Sequence, residues 1–267
     1  MRWICAAAAV LLSVSQAAAE DGGGLFNWVH GDWYLTIGGA GYIAPKYTGD
    51  NTYEFTGQPL ISLGKAGEEA RFISRNDAIS LSLFDRGSFR FGAAGNFIWK
   101  QDDGTSDDLR GLSEVPFGGE AGIFAEVYPT EWLRVRGELF EGIKSYDGLF
   151  GDVTADAFTD LTPRLRLSGG PRLSFAGAGY FDAYYGVTPE ESIASGLPVY
   201  DPGSGINSVG AGGALTWKTT DRITTSFYAE YTRLLGPAAD SSLVEERGSA
   251  NQFLVGISGT YRFDFRL

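Results

Sequence analysis

Hydrophobic and polar positions alternate one by one along most of this chain, and the alternation is strictest at its C-terminal end. Tyr261, Phe263, Phe265 and Leu267 fall on one face of an extended strand, and Arg262, Asp264 and Arg266 on the other. Successive side chains of a strand point to opposite faces. A strand with lipid on one side and a polar lumen on the other needs this pattern, whereas a soluble core strand rarely does. The same period recurs upstream. Phe253, Val255 and Ile257 oppose Gln252, Gly256 and Ser258; Trp33, Leu35 and Ile37 oppose Tyr34, Thr36 and Gly38. Phe89, Phe91 and Phe97 oppose Ser88, Arg90 and Asn96; Ile123, Ala125 and Val127 oppose Phe124 and Glu126. Leu133, Val135, Gly137 and Leu139 oppose Arg134, Arg136, Glu138 and Phe140, and the run Leu173 to Phe181 opposes Arg172, Ser174 and Tyr180. Val209 to Trp217 and Ile223 to Tyr231 complete the strong set, with weaker runs at 53–64, 69–74, 78–84 and 151–168. No helical stretch of useful length is expected after Glu20. The pattern predicts an all-β fold, a transmembrane antiparallel up-and-down β-barrel of about 12 strands, even in number as single-chain bacterial barrels are. Pro163 cannot donate to a ladder, so a bulge or break is expected there.

The connections sort by length. With the mature N-terminus placed in the periplasm, the periplasmic turns are Gly64–Glu68, Phe84–Gly87, Tyr128–Glu131, Ser168–Pro171 and Thr219–Asp221, all short. The outward loops are Ala44–Thr52, Arg75–Asp77, Gln101–Val115, Lys144–Phe150, Ala183–Gly205 and Leu235–Ala250, most of them long. Short turns at one end and long loops at the other are the known asymmetry of outer-membrane barrels. Trp33, Trp99, Trp132 and Trp217 lie near strand ends, where an indole ring sits at headgroup level; core packing is the alternative.

The N-terminus carries Met1-Arg2, an apolar run from Ile4 to Val14, and Ala17-Ala18-Ala19 before Glu20. This is the layout of a secretory signal, and the apolar run is too short for a spanning helix. Residues 1–19 are therefore assigned to a signal peptide and 20–267 to a single barrel domain in the outer membrane, in contact with its lipids. Cys5, the single cysteine, falls inside the signal. The formal net charge of -12 argues against nucleic acid as a partner. A mean hydropathy of -0.08 with 14% aromatic residues suits walls that are half lipid-facing and half polar.

Candidate chemistry concentrates on the inward face. Arg90, Arg134, Arg136, Arg164, Arg166, Arg172 and Arg262 share predicted lumen faces with Glu120, Glu126, Glu138 and Glu230. On a lipid face near the midplane, Arg or Lys costs roughly 2–4 kcal/mol, so the lumen is the cheaper location. Two readings stay open: the charges pair to make a rigid interior, or they line a narrow polar pore. Arg134 and Arg136 are expected to pair with Glu120 and Glu126. His30 is the only histidine and has no partner in sequence, so nucleophilic catalysis is not expected, nor is a cofactor or a His/Cys metal site. Asp102-Asp103 and Asp107-Asp108 crowd one loop. They read as a solvated acidic loop ahead of a divalent-cation site, because the spacing is not that of an EF-hand.

The last strand resembles the signal that outer-membrane barrels present to their assembly machinery, carried here by Tyr261, Phe263, Phe265 and Leu267. An aromatic terminal residue is usual there, and Leu267 departs from it. Three groups of loop motifs carry a wider resemblance. Pro45-Lys46-Tyr47-Thr48-Gly49-Asp50 is the first. Tyr184-Tyr185-Gly186-Val187 with Ser195-Gly196-Leu197-Pro198-Val199-Tyr200 is the second. Ala238-Ala239-Asp240-Ser241-Ser242-Leu243-Val244 with Gly248-Ser249-Ala250-Asn251-Gln252 is the third. In order and spacing the chain resembles the MipA/OmpV family of MltA-interacting outer-membrane proteins, which typically has Pro where Ser242 stands. The resemblance implies an outer-membrane barrel without shared enzymatic activity. It also implies a scaffold role toward periplasmic peptidoglycan enzymes such as a lytic transglycosylase. The alternative function is a narrow solute channel; a barrel lipase or deacylase is a third. One tension follows: the family-like motifs fall on outward loops, whereas a cell-wall scaffold binds inside. Packing of those motifs into the barrel mouth would remove it.

Overall fold

The computed structural model describes residues 30–65 and 72–267. The expected signal, residues 1–19, lies outside the described residues, as do residues 20–29. The alternating runs form eleven strands: β1 (Asp32–Pro45), β2 (Tyr53–Lys65), β3 (Ile79–Asp85), β4 (Phe89–Ile98), β5 (Gly118–Thr130), β6 (Leu133–Ile143), β7 (Leu149–Thr162), β8 (Leu165–Ala176), β9 (Gly205–Lys218), β10 (Ile223–Leu234) and β11 (Asn251–Arg266). They make one curled antiparallel sheet in which sequence neighbours pair and β11 pairs with β1. The two ends of the described chain meet there. Gly31 N–H donates to the Leu267 carbonyl at 3.0 Å and Leu267 N–H to that of Gly31 at 3.1 Å. β2 and β3 form the edges and lie beside each other without a ladder among the described residues. Wall glycines allow neighbouring strands to approach: a Cβ on Gly38 would lie 2.1 Å from the Gly259 carbonyl oxygen.

Side-chain orientation follows the alternation. Phe91, Phe97, Ile123, Leu139, Val209, Phe227, Phe253, Phe263 and Phe265 are exposed on the outer face, whereas Arg90, Glu126, Arg134, Arg136 and Glu138 are buried inside. Trp99, Trp132 and Trp217 are exposed near strand ends, as a girdle requires, but Trp33 is buried.

The described residues form eleven wall strands, close to the expected twelve or so. Of the weak run 69–74 only 72–74 is described; these residues and the supposed outward loop Arg75–Asp77 are not a wall strand and a loop. From Phe72 to Ala78 the chain lies in the lumen: Phe72 stacks on Phe158 of β7 at 4.9 Å, and Asp77 reaches Arg134 of β6. This inner segment leads directly into β3. Both described ends finish at the same end of the barrel despite an odd number of wall strands.

Two further expectations are corrected. Ser168–Pro171 is not a turn but the middle of β8; the turn is at Pro163-Arg164, where proline ends the ladder. Pairing with β7 passes from Arg172 to Gly169, so Pro171 sits where no donor is used. The chain is also not free of helix. The run expected as strand to Phe181 ends at Ala176, and α1 (Ala178–Tyr185), α2 (Pro189–Ser195), α3 (Gly236–Ala239) and α4 (Ser242–Arg247) follow in loops 177–204 and 235–250. α2 has a capping box, with Glu191 N–H donating to Thr188 Oγ1 and Thr188 N–H to the Glu191 carboxylate. Pro189 occupies its first turn, and Gly196 stops it at φ +81°. α4 starts where Ser241 Oγ accepts from Leu243 N–H at 3.3 Å.

The remaining connections keep the asymmetry of the ends. Residues 86–88, 131–132, 163–164 and 219–222 turn tightly at one end; 46–52, 99–117, 144–148, 177–204 and 235–250 lie at the other. At the long-loop end the helices pack as a cap. Phe181, Tyr185, Leu234, Ala238 and Val244 form one buried cluster, and Tyr47, Leu109, Val187, Leu197 and Leu243 another.

Candidate functional site

The lumen holds two structures of different character: a belt of paired charge on the β4–β8 side, and a chamber on the β8–β2 side. The belt follows from register. Arg90 faces Glu126 across β4 and β5, Glu126 faces Arg136 across β5 and β6, and Arg134 faces Asp156 across β6 and β7. Facing residues on one side of an antiparallel pair are within contact distance, so these charges meet inside. Arg90 Nη1 donates to Glu126 Oε1 at 3.0 Å, and its Nε to Asp85 at 2.7 Å. Arg136 donates from Nη1 to the other Glu126 oxygen at 3.0 Å and from Nε to Glu138 at 2.8 Å. Its guanidinium also lies 4.0 Å from the centre of the Phe124 ring.

Arg134 is the centre of the belt and is fully buried, at 0% exposure. It grips Asp77 of the inner segment through both terminal nitrogens, at 2.7 and 2.8 Å, and also bonds Asp156 at 2.8 Å. Glu126 stands 3.5 Å away and the Phe72 ring lies 4.8 Å beneath the guanidinium. A two-pronged arginine–carboxylate pair fixes direction as well as distance. The inner segment is held at several places, among them Phe72 in the aromatic stack, Asp77 on Arg134, and Ala78 N–H on Glu138 at 3.3 Å. Arg172 joins from β8, donating to Asp156 at 2.6 Å.

The predicted inward set is brought together only in part. Arg90, Glu126, Arg134, Arg136, Glu138 and Arg172 share the belt. Glu120 pairs with no arginine among the described residues; it accepts from Tyr146 at 2.7 Å and Asn96 at 3.0 Å, nearer the cap. Glu230 takes Asn76 of the inner segment at 2.8 Å, with Arg75 at 3.7 Å. Arg166 and Arg262 lie toward the short-turn end and pair with Asp160 and Asp264, each at 2.7 Å. Arg164 is in the Pro163-Arg164 turn, exposed, and not on a lumen face. Asp77, Asp156 and Asp85 were missed. Asp156 follows at once when β7 is aligned with β6; nothing local marks Asp77, because its segment does not read as inward.

The chamber has a volume of about 790 Å³. Its wall is small and hydroxylated, with Thr36, Ser62, Ser168, Thr216, Ser258 and Thr260, and the inner segment forms its flank. Lys218 and Arg222, at the short-turn end, also line it.

The cap closes the other end, and the family-like motifs build it. Gly49 N–H donates to Gln252 at 3.2 Å, Ser241 Oγ to the Tyr185 carbonyl at 2.7 Å, and Ser242 Oγ to that of Pro198 at 2.8 Å. The motifs pack into the mouth, which removes the tension their outward position created. The acidic loop holds pairs of its own. Lys100 contacts Asp102 and Glu114, both at 2.8 Å, and Asp107 pairs with Arg110. The hydrogen bond from Lys100 holds the Asp102 carboxyl below its ordinary value, and bonds to Asp102 and Glu114 raise that of Lys100. No cluster of three or more His, Cys, Asp or Glu suited to a metal exists among the described residues. In α2, burial works against ionisation of Glu191, but hydrogen bonds from Ser113 and Thr188 outweigh it and lower its pKa. His30 is exposed, and Tyr261, Phe263, Phe265 and Leu267 are exposed on the outer face.

The family described as MltA-interacting protein MipA matches residues 37–263. Among solved structures, OprB of Pseudomonas putida is 14% identical at a TM-score of 0.38, covering 69% of this chain and 47% of its own. The chain thus spans about half the length of that relative. Ail, the attachment invasion locus protein of Yersinia pestis, is 11% identical (TM-score 0.27; 88% and 99% covered), and OprG of Pseudomonas aeruginosa is 9% identical (0.28; 88% and 96%). Likenesses this distant carry no argument here. No curated protein matches.

Proposed function

Because the chain belongs to the MltA-interacting protein MipA family, an outer-membrane β-barrel family, we infer that it is a non-enzymatic scaffold of the cell envelope. It would engage a periplasmic peptidoglycan enzyme, a lytic transglycosylase being the class that the family resemblance implies. The observation that carries this reading is the obstruction of the lumen. The cap packs one mouth with buried aromatic and aliphatic side chains, and the Asp77–Arg134 clamp holds the inner segment inside the wall. A barrel so filled is suited to presenting a surface. The reading places both chain ends and the short turns in the periplasm. It leaves the outer face to lipid and the last strand, with Tyr261, Phe263, Phe265 and Leu267, to the assembly machinery.

The experiment is reciprocal. The purified barrel, reconstituted in lipid, should retain the lytic transglycosylase of its own organism. Substitutions in the turns at 131–132 and 219–222 should abolish retention, while planar bilayers should show no unitary current. Charge-sensitive single-channel currents, or a transglycosylase that ignores the barrel, would replace the scaffold with the alternative reading. That alternative is a narrow solute channel through the chamber side, and the open volume beside the inner segment supports it.

A further inference from the structure

We propose that the lumen chamber is a binding site for a small anionic sugar, entered from the short-turn end. The proposal stands on the chamber and is independent of any protein partner.

Three observations meet there. The first is size: about 790 Å³ lies within the range of sites that enclose small ligands. The second is the distribution of donors. Arg172 Nε and the Tyr228 hydroxyl are buried and have no hydrogen-bond partner among the described residues, and both line the chamber. Buried polar groups are normally paired, and each exception calls for a reason. Both orphans can donate, so an acceptor-rich group satisfies them. The Arg75 guanidinium lies 4.9 Å from the centre of the Tyr228 ring. The nearest carboxylate, Glu230, stands 3.7 Å from Arg75 and 4.0 Å from Arg172, which also pairs with Asp156 at 2.6 Å, so Glu230 is bonded closely by neither cation. Arg75, Arg172 and the Tyr228 hydroxyl thus leave donors at one end of the chamber for the carboxylate or phosphate of such a ligand.

The third observation is the wall. From β8 round to β2 the inward positions include the hydroxyl residues Ser168, Thr216, Ser226, Ser258, Thr260 and Ser62. Hydroxyls both donate and accept, which matches the alternating demands of a sugar ring. Eight cationic side chains and five carboxylates line the chamber, although the whole chain is acidic at -12. Lys218 and Arg222 stand toward the entrance, where cationic walls concentrate anions.

The test is calorimetric titration of the full barrel in lipid nanodiscs with glucuronate, glucose 6-phosphate, glucose and inorganic phosphate. Saturable binding of glucuronate or glucose 6-phosphate, with glucose at least about tenfold weaker, is expected from the loss of hydrogen bonds to charged donors. Which of the two binds identifies the anionic group. Arg75→Gln should weaken binding about tenfold, and Tyr228→Phe, which keeps the ring and removes only the orphan hydroxyl, several-fold. Tyr228→Phe keeps the test valid if Arg75→Gln fails to fold. Absence of saturable binding by either sugar anion overturns the proposal. So does glucose binding as well as glucuronate, inorganic phosphate binding as well as glucose 6-phosphate, or indifference to both substitutions.

Discussion

Arg134 shows how much a single lumen residue decides. It is buried with three carboxylates within 3.5 Å, and one of them, Asp77, belongs to the only described part of the chain inside the wall. Removing one member of a buried ion cluster leaves its partners charged and unpaired, which costs roughly 3–5 kcal/mol. Arg134→Gln should therefore lower the melting temperature in detergent clearly, read by loss of heat-modifiable migration, because Asp77 and Asp156 lose their shared cation. Asp77→Asn tests the other side of the clamp. It weakens the hold on the inner segment while the wall keeps Arg134–Asp156 and Arg136–Glu126. Faster hydrogen exchange at 72–78 and unitary currents in planar bilayers are expected. An inner segment as protected as in the parent protein would show that Phe72 and Glu138 suffice.

At the scale of elements, β11 and the cap make different demands. β11 closes the sheet against β1, with Phe265 opposite Trp33 and Phe263 opposite Leu35. Phe265→Asp puts a charge on the outer face of the closing strand, so the yield of folded protein in outer-membrane fractions should fall. The cap depends on short helices that would be marginal alone and are held by caps and packing. Thr188→Ala removes the capping oxygen of α2 and should cost about 1 kcal/mol locally, seen as faster exchange in α2. Glu191 adds a pH dependence of known sign. Its folded pKa is lowered, so its contribution is complete above the unfolded glutamate value of about 4.3 and is lost as pH falls through the lower folded value. Exchange in α2, corrected for the intrinsic rate, should accelerate on acidification below that value, and Glu191→Gln should remove the step.

For the whole molecule the distinctive feature is an odd number of wall strands with both described ends on one side. The inner segment fills the β4–β8 half of a barrel too wide for side chains to fill alone. Orientation in the membrane is open to a direct test, since the single cysteine, Cys5, lies in the expected signal. A cysteine introduced at Asp103 in the long-loop end should react with a membrane-impermeant maleimide on intact cells. One at Asp221 should react only after the outer membrane is permeabilised. The opposite pattern would invert the barrel and move the chamber entrance to the cell exterior.

The sequence by itself determined the wall. A period of two is a property of the extended backbone, so Leu133 to Phe140 announces both its outer and its inner face before any partner strand is known. Loop length likewise announced the two unlike ends, and Arg90, Glu126 and Arg136 could be read as lumen charges. Tertiary structure decided what fills the wall. Whether 72–78 runs in the sheet or inside it depends on Arg134 and Phe158, which are distant in sequence and supply the charge and the ring that hold it. The same holds for Phe181, which continues the period of β8 on paper but turns into α1 because the cap offers Tyr185, Leu234 and Val244 to pack against. The capping box at Thr188 and Glu191 is legible locally, within the stretch expected as the outward loop Ala183–Gly205. Glu120 missed its expected arginine because inward-facing residues choose partners by height in the barrel, which register fixes and composition does not.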